Sequence, residues 1–446
     1  MRIVVSWGMA GRAGTAGVCP RNHIWRQRSS KGMPGLKRES VPRVHSAVLC
    51  AMAGLVFASC AVSTTPGSSE EPRSPQTTSA AFRSLSARAF AAQSAGNVEE
   101  AVPLFRKALA LNPRWDEGWW SLGEIDYGKN RYREAAAEYR KATALDPRSG
   151  IARIMLGLCE FELGQDAAAL RDIEAGKDLG VEKDQQLRQV VFYHEAILLQ
   201  RAGRFEAATD PLASLCLSGV RSRDVADVYG MTMLHIASRT TPVESTQEGD
   251  VVQHVGRGAC LSAANEFDQA RREFDYVLQQ HPNFPLVHFA YGRFLLEARD
   301  RSGAIEAFRQ EIAQAPNSVL ARLEIAATEY KVDSAAGIPY ARQAVEIAPR
   351  APLPHYFLGL LLLDTGDYQG SIPHLEVANK AFPREAKIYW SLAAAYAHVG
   401  RQNDAAAARA EFARLNQSNN AEAQSNGTAD VPDSLPRMDV TETSQP

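Results

Sequence analysis

Cysteine is scarce in this chain, and no two cysteines stand in a CxxC pair or at the spacing of a zinc site. The six are Cys19, Cys50, Cys60, Cys159, Cys216 and Cys260. Cys159 and Cys260 lie among apolar neighbours in predicted helices, where a cysteine behaves as a small hydrophobic residue. For these two we expect buried, unpaired thiols rather than a disulfide or a redox role. We also expect no metal site and no cofactor.

The short motifs of common enzyme classes are also missing. There is no HExxH for a zinc protease, no GxSxG elbow, no Walker A loop, and no GxGxxG after a strand. Ten histidines are dispersed along the chain, and the acidic residues mostly fall on solvent-facing helix positions. We therefore expect no catalytic residues and a non-enzymatic protein. An enzyme of unrecognised type is the weakest alternative.

Acidic residues are almost absent before residue 44, where nine basic residues are opposed only by Glu39. The basic residues are Arg2, Arg12, Arg21, Arg26, Arg28, Lys31, Lys37, Arg38 and Arg43. The rest of the chain is net acidic, which argues against nucleic acid as a partner because phosphate binding needs a basic face. The basic end is better explained as a targeting signal.

The longest apolar run is short. Val44 to Ser59 carries no charge and follows Lys37, Arg38 and Arg43, an arrangement typical of a secretory signal. It falls short of the roughly 20 apolar residues of a comfortable membrane span. Residues 1–32 lengthen the basic region beyond that of ordinary signals, whereas Met33 would give a leader of normal length. We expect the true start to lie downstream of residue 1.

The end of this run, Phe57-Ala58-Ser59-Cys60, resembles the lipobox of bacterial lipoproteins, in which the cysteine is acylated and becomes the mature N-terminus. Phe57 stands where leucine is usual, and Ala61 differs from the aspartate that retains many such proteins at the inner membrane. The resemblance implies lipidation at Cys60 and a periplasmic or outer-membrane lipoprotein held to the membrane by its lipid anchor. Secretion, a single anchor without lipid, and an intracellular location remain alternatives.

A helix signature of small residues and a closing proline recur along most of the chain at a spacing of about 34 residues. The clearest copy contains Trp119, Leu122, Gly123, Tyr127, Tyr132, Ala135, Tyr139, Ala142 and Pro147. Self-similarity at this period predicts a helical hairpin repeated in a row. Proline ends the second helix of each hairpin because it has no amide hydrogen and disfavours helical geometry in the residue before it.

This pattern resembles the tetratricopeptide repeat. The resemblance implies an all-α fold of tandem helix-turn-helix repeats stacked into a right-handed superhelical solenoid, of about nine units with one interruption. Small residues at the eighth and twentieth places lie where two helices cross, and large residues at places 4, 7, 17 and 24 fill the space between hairpins. Asp224 to Ser238 departs from the period and is predicted as a single helix before a polar loop. A hinge and a degenerate repeat are both open interpretations of this interruption.

These patterns divide the chain into seven segments. They are a basic leader at 1–43, the signal and lipobox-like site at 44–60, a disordered Ser/Thr/Pro linker at 61–81, repeat block 1 at 82–220, an irregular helix and loop at 221–250, repeat block 2 at 251–417, and a disordered polar tail at 418–446.

In the repeat family, places 2, 5, 9, 12 and 13 of the first helix line the concave surface. The aromatic residues that fall on these places are Trp120, Tyr127, Phe161, Tyr193, Phe289, Tyr356 and Trp390. An apolar surface of this kind indicates a bound partner or a stretch of chain folded back on it. Alternatively, superhelical curvature buries some of these rings against neighbouring hairpins.

Family members that grip a terminal carboxylate use Lys, Asn and Arg on the concave face. Here the matching places hold Trp120, Glu124, Ile154 and Leu158, so that clamp is absent. Recognition of an apolar extended or helical segment is favoured instead. The sequence thus predicts an interaction scaffold of the bacterial envelope that binds protein or peptide segments. An accessory subunit of an envelope polysaccharide or secretion enzyme complex is the alternative.

Overall fold

The computed structural model describes residues 75–180, 185–240 and 245–426, and within these residues every regular element is an α-helix. The all-α prediction is confirmed for this part of the chain. The predicted leader, the lipobox-like site with Cys60 and most of the predicted polar tail lie outside the described residues. Among the described helices, none combines the length and the apolar character needed to cross a membrane.

The chain divides into two compact units, the first ending at Glu138 and the second starting at Tyr139. The helices of unit 1 are α1 (Pro75–Ser94), α2 (Val98–Leu111), α3 (Asp116–Gly128) and the start of α4 (Tyr132–Leu145). Unit 2 continues with α5 (Gly150–Glu162), α6 (Asp166–Asp178), α7 (Gln185–Arg201), α8 (Phe205–Leu217), α9 (Arg223–Met233), α10 (Gln247–Ala263), α11 (Phe267–Gln280) and α12 (Val287–Glu297). It ends with α13 (Arg301–Gln314), α14 (Val319–Glu329), α15 (Ser334–Ile347), α16 (Pro352–Asp364), α17 (Tyr368–Ala381), α18 (Ala386–His398) and α19 (Gln402–Asn426).

A single residue with positive φ reverses the chain inside each hairpin. These residues are Gly96, Asn130, Gly164, Gly203, Asn265, Arg299, Lys331, Gly366 and Gly400. Glycine and asparagine adopt this left-handed conformation at least cost, which explains their frequency here. Nine such turns in the described residues match the nine predicted repeats. The described helices extend beyond two predicted boundaries, because α1 begins at Pro75 inside the predicted linker and α19 runs to Asn426.

A recurring hydrogen bond closes the junction between hairpins. The side chain six residues after the closing proline donates to the proline carbonyl oxygen, with distances of 2.9 to 3.1 Å. The donors are Trp119, His288, His355 and Tyr389, which pair with Pro113, Pro282, Pro349 and Pro383. These side chains satisfy a carbonyl at the helix end that has no intrahelical partner. His288 and His355, which are far apart in the sequence, therefore have the same structural role.

The small residue at the eighth place of a repeat lets the two helices of its hairpin approach. A Cβ atom added at Gly258 would lie 2.8 Å from the Phe274 ring, and one added at Gly359 would lie 2.7 Å from the Leu375 side chain. Phe274 and Leu375 occupy the twenty-fourth place and are fully buried. The large residue at this place thus fills space within its own hairpin, in addition to the predicted space between hairpins.

The irregular segment contains the tightest helix contact among the described glycines. A Cβ atom at Gly230 of α9 would overlap the carbonyl oxygen of Val252 in α10, and one at Gly256 would overlap the carbonyl oxygen of Ala226. The predicted single helix from 224 to 238 is too long, because α9 ends at Met233 and His235 has a φ of 53°. Helix α9 packs against α7, α8 and α10.

A disulfide bond joins Cys216 of α8 to Cys260 of α10, with their Cα atoms 5.2 Å apart. The expectation that Cys260 is an unpaired hydrophobic residue is therefore wrong. The pairing was hidden in the sequence because the two cysteines are separated by 44 residues and approach only through the packing of α8 on α10. Cys159 is a buried free thiol, as expected, and burial raises its pKa far above the usual value.

Candidate binding surface

Three of the seven predicted groove aromatics are buried. Tyr127 is 4 % exposed, and Phe289 and Tyr356 are each 1 % exposed. The expectation that these three side chains are exposed is therefore wrong, and the alternative interpretation of burial applies to them. Tyr356, for example, belongs to a buried cluster that includes Leu323 of α14 and Ile388 of α18.

The other four predicted groove residues retain accessible surface. Trp120, Phe161 and Tyr193 are half-buried, and Trp390 is 61 % exposed. The Trp390 ring leans on Phe412 of α19, with ring centroids 5.3 Å apart. Trp119 stands at the fourth place of its repeat, where a large side chain was expected to fill the space between hairpins. It is only half-buried, and its indole N–H donates a hydrogen bond to the Pro113 carbonyl oxygen. Binding at the four accessible positions stays a prediction.

In unit 1, Trp120 belongs to a small polar cluster with Glu124 and Gln93. The Gln93 amide nitrogen lies 3.3 Å from the Glu124 carboxylate, and the Trp120 side chain also donates a hydrogen bond to that carboxylate. Burial raises the pKa of Glu124 to about 7, while the two hydrogen bonds work in the opposite direction. The place predicted to be part of an apolar surface thus carries a carboxyl group that ionises near neutral pH.

The raised pKa of Glu124 makes the stability of unit 1 depend on pH. Folding shifts the pKa of Glu124 upward, so the folded state holds a proton that the unfolded state releases between about pH 4.5 and pH 7. The stabilisation is complete below the unfolded pKa and is lost as the pH rises through 7. We expect Glu124→Gln, which stays neutral, to remove this part of the pH dependence. Urea unfolding of both proteins from pH 4.5 to pH 8 checks it, and parallel curves would contradict the assignment.

In unit 2, a stretch of the chain itself lies against predicted groove positions. We call residues 234–240, which follow α9, the strap. The side-chain amide of Gln200 in α7 donates to the carbonyl oxygen of Ile236 in the strap. Gln200 occupies a predicted groove place at the end of its helix. Such a hydrogen bond to a main-chain carbonyl holds a non-helical segment whatever its side chain.

The imidazole of His235 is the second point of contact. It stacks on Phe205 at a centroid distance of 4.5 Å and meets the ring of Phe289 edge-on at 5.7 Å. Its Nε2 atom lies 3.8 Å from a Glu206 carboxylate oxygen. The strap thereby contacts the start of α8 and a predicted groove residue of α12.

Arg239 forms the third contact. Its guanidinium lies 2.8 Å from the Asp166 carboxylate at the start of α6. Arg201 approaches the same carboxylate at 3.5 Å and places its own guanidinium 4.9 Å from the centre of the Phe161 ring. Asp166 thus joins the strap to another predicted groove aromatic, Phe161.

Charged side chains also lie at or beside the predicted groove places of unit 2. Arg293, at a predicted groove place of α12, forms an ion pair with Glu206 of α8. Burial opposes ionisation of Glu206, but the attraction of Arg293 and the hydrogen bond of His235 outweigh it and lower the pKa of Glu206 to about 2. Gln200, Arg293 and Glu206 were not among the predicted site residues, although Gln200 and Arg293 stand at groove places of their repeats.

None of the described residues form a group of three or more histidine, cysteine, aspartate or glutamate side chains placed to hold a metal ion. Within unit 2, the Glu206 carboxylate is paired with the Arg293 guanidinium. The arrangement is suited to holding a polypeptide segment by its main chain and by one or two side chains.

Comparison with known families agrees with the hairpin geometry. The family model described as tetratricopeptide repeat matches residues 122–176, 261–319 and 356–422. These three segments are similar to tetratricopeptide repeats. Each segment includes at least one of the left-handed turns described above, for example Asn130, Asn265 and Gly366.

Individual proteins carrying this repeat match only in part. Tetratricopeptide repeat protein 34 of Homo sapiens is 26 % identical over 202 residues, which are 44 % of this chain and 33 % of that protein. The chain therefore spans about a third of the length of the curated relatives it matches.

Among solved structures, yeast Tom70 is 15 % identical with a TM-score of 0.31, covering 76 % of this chain and 69 % of that one. MamA from AMB-1 is 20 % identical with a TM-score of 0.33, covering 37 % and 91 %.

Proposed function

We propose that this chain is a non-enzymatic scaffold that binds protein or peptide segments on the first-helix faces of its repeats. The observation that carries the proposal is Trp390, an aromatic side chain 61 % exposed on the first helix of the last hairpin. Tryptophan is among the residues most often responsible for binding energy at interfaces, and it is rarely left in water. Partly accessible Trp120, Phe161 and Tyr193 extend this surface within their own units.

We further propose that the protein acts in the bacterial envelope, held by a lipid on Cys60. Support comes from the basic and apolar leader with its lipobox-like end, which lies outside the described residues. The disulfide bond between Cys216 and Cys260 adds independent support, since disulfides persist in exported proteins and are rare in the reducing cytosol. A single acyl chain binds a membrane only marginally, so stable attachment requires the several chains that such lipoproteins carry.

The binding surface is tested by comparing two exposed apolar residues on different helices. Trp390→Ala removes the proposed anchor, whereas Leu217→Ala removes a side chain 65 % exposed on α8, the second helix of its hairpin. Loss of a central aromatic anchor costs about 2 kcal/mol of binding, a roughly thirtyfold weaker complex. We expect both variants to melt like the wild type, and only Trp390→Ala to lose cross-linked partners from envelope extracts.

Equal capture by the two variants would show that Trp390 does not bind the partners. A markedly lower melting temperature for Trp390→Ala would show instead that the ring is needed for the packing of α18 on α19 through Phe412. Either result would remove the observation on which the proposal depends.

A further inference from the structure

The strap contacts the groove of unit 2 in the manner of a bound peptide. A side chain of the groove, Gln200, holds a main-chain carbonyl of the strap, and an aromatic and a carboxylate receive its two distinctive side chains, His235 and Arg239. The receiving residues belong to α6, α7, α8 and α12. The strap therefore contacts four helices other than the two that it joins.

We propose that the strap is an internal ligand of this groove, and that a partner binding there is an extended segment of the same chemistry. This partner presents an aromatic or imidazole ring, a main-chain carbonyl next to it, and a basic side chain three residues after that carbonyl. The inference rests on the proposed scaffold function and specifies the segment that unit 2 recognises. It also means that the strap must leave before such a partner binds.

The end of the strap at Arg239 is held more weakly than its start. Leu234 is buried and fixes the start of the strap. The side chain of Arg239 is largely exposed and is held by one ion pair. Ser238 and Thr240 hydrogen-bond with each other through the Ser238 hydroxyl, at 3.0 and 3.1 Å. The amides of His235 and Ile236 hydrogen-bond to carbonyl oxygens of α9, and Ile236 packs against the buried cluster of unit 2. Displacement of the strap therefore begins at its Arg239 end, where a single ion pair of an exposed side chain contributes little.

Being tethered, the strap competes at a high effective concentration with any segment added in solution. A free peptide therefore binds the wild-type protein with an affinity reduced by the small fraction of molecules whose groove is open. Weakening the strap without changing the groove should raise that fraction. This gives the proposal a direct test with a probe of known sequence.

The probe is a fluorescein-labelled, amidated peptide of residues 235–240, HIASRT. The opened protein carries His235→Gly and Arg239→Ala, which remove the ring contacts and the ion pair of the strap and leave every groove residue in place. From the combined loss of these two contacts, we expect the opened protein to bind the probe about tenfold more tightly than the wild type. Fluorescence anisotropy measures both affinities.

A peptide with glutamate in place of its arginine, HIASET, serves as the matched control and should bind the opened protein more weakly than HIASRT does, because it loses the ion pair with Asp166. Arg239→Ala alone, which changes only an exposed side chain, should give a smaller gain in the same direction. This single variant keeps the test decisive if the double variant fails to fold.

Equal affinity of the wild type and the opened protein for HIASRT would overturn the proposal, since the strap would then not occupy the peptide site. No binding to the opened protein would overturn it as well, because the groove would not accept the strap sequence as a ligand. The probe is a piece of this chain, so its binding does not depend on capture of partners through Trp390. The two proposals can therefore fail separately.

Discussion

Removing the disulfide bond should lower the free energy of unfolding of unit 2 by about 4 kcal/mol, the loss expected from the chain-entropy model for a loop of 44 residues. The bond between Cys216 and Cys260 ties α8 to α10 and encloses α9, which lies between them in the sequence. Without the disulfide bond, the unfolded chain has more conformational entropy, which stabilises the unfolded state. The variant is Cys216→Ala together with Cys260→Ala, compared with the wild type by urea unfolding followed by circular dichroism.

Dithiothreitol provides a second measurement within the same experiment. It should shift the wild-type unfolding curve to lower urea concentration and leave the curve of the double variant unchanged. Cys159→Ala is the matched control, because Cys159 is a buried thiol that forms no disulfide. We expect this variant to remain sensitive to the reductant. A wild-type curve that does not respond to dithiothreitol would mean that the bond contributes nothing to stability.

The disulfide also bears on how the groove functions. It closes the loop that includes both α9 and the strap, so reduction loosens the segment that occupies the groove of unit 2. In an oxidising compartment the bond limits how far the strap can move when a partner displaces it. Stability of the repeat array and access to its groove are therefore linked through one pair of cysteines.

The hairpin architecture could be predicted from the sequence because each repeat follows local rules. The closing prolines, such as Pro147 and Pro383, and the left-handed turns, such as Asn130 and Gly366, recur at a nearly constant spacing. These residues determine where helices begin and end through the geometry of their own backbone. Distant contacts are not needed to identify them.

The groove could be predicted only in part, since exposure depends on packing between hairpins. Tyr356 and Trp390 both fall on predicted groove places, yet the first is fully buried and the second is mostly exposed. The difference arises from neighbours on other helices, which the position within a repeat does not specify. The strap and the disulfide were missed for the same reason, since both depend on contacts between distant parts of the chain. The strap joins the irregular segment to α6, α7, α8 and α12, and the disulfide joins two repeats across that segment.

Helices α9 and α10 approach each other closely at two glycines, which have here the role that small residues have elsewhere in the array. Gly230 and Gly256 face each other across the two helices, and each is next to a backbone carbonyl of the opposite helix, Val252 and Ala226 respectively. A backbone atom cannot rotate away as a side chain can. A methyl group at either glycine therefore forces the helices apart.

Gly230→Ala should destabilise unit 2 by about 3 kcal/mol, near the upper end of the usual cost of overpacking, despite the better helix propensity of alanine. Gly337→Ala in α15 is the matched control. There the added methyl meets the Glu329 and Leu361 side chains at 3.0 to 3.3 Å, and the gain in helix propensity should offset the small adjustment they need. Urea unfolding at pH 7 compares both variants with the wild type. An unchanged or higher midpoint for Gly230→Ala would show that α9 and α10 do not approach as closely in solution, and the strap would then lose the fixed origin from which it reaches the groove.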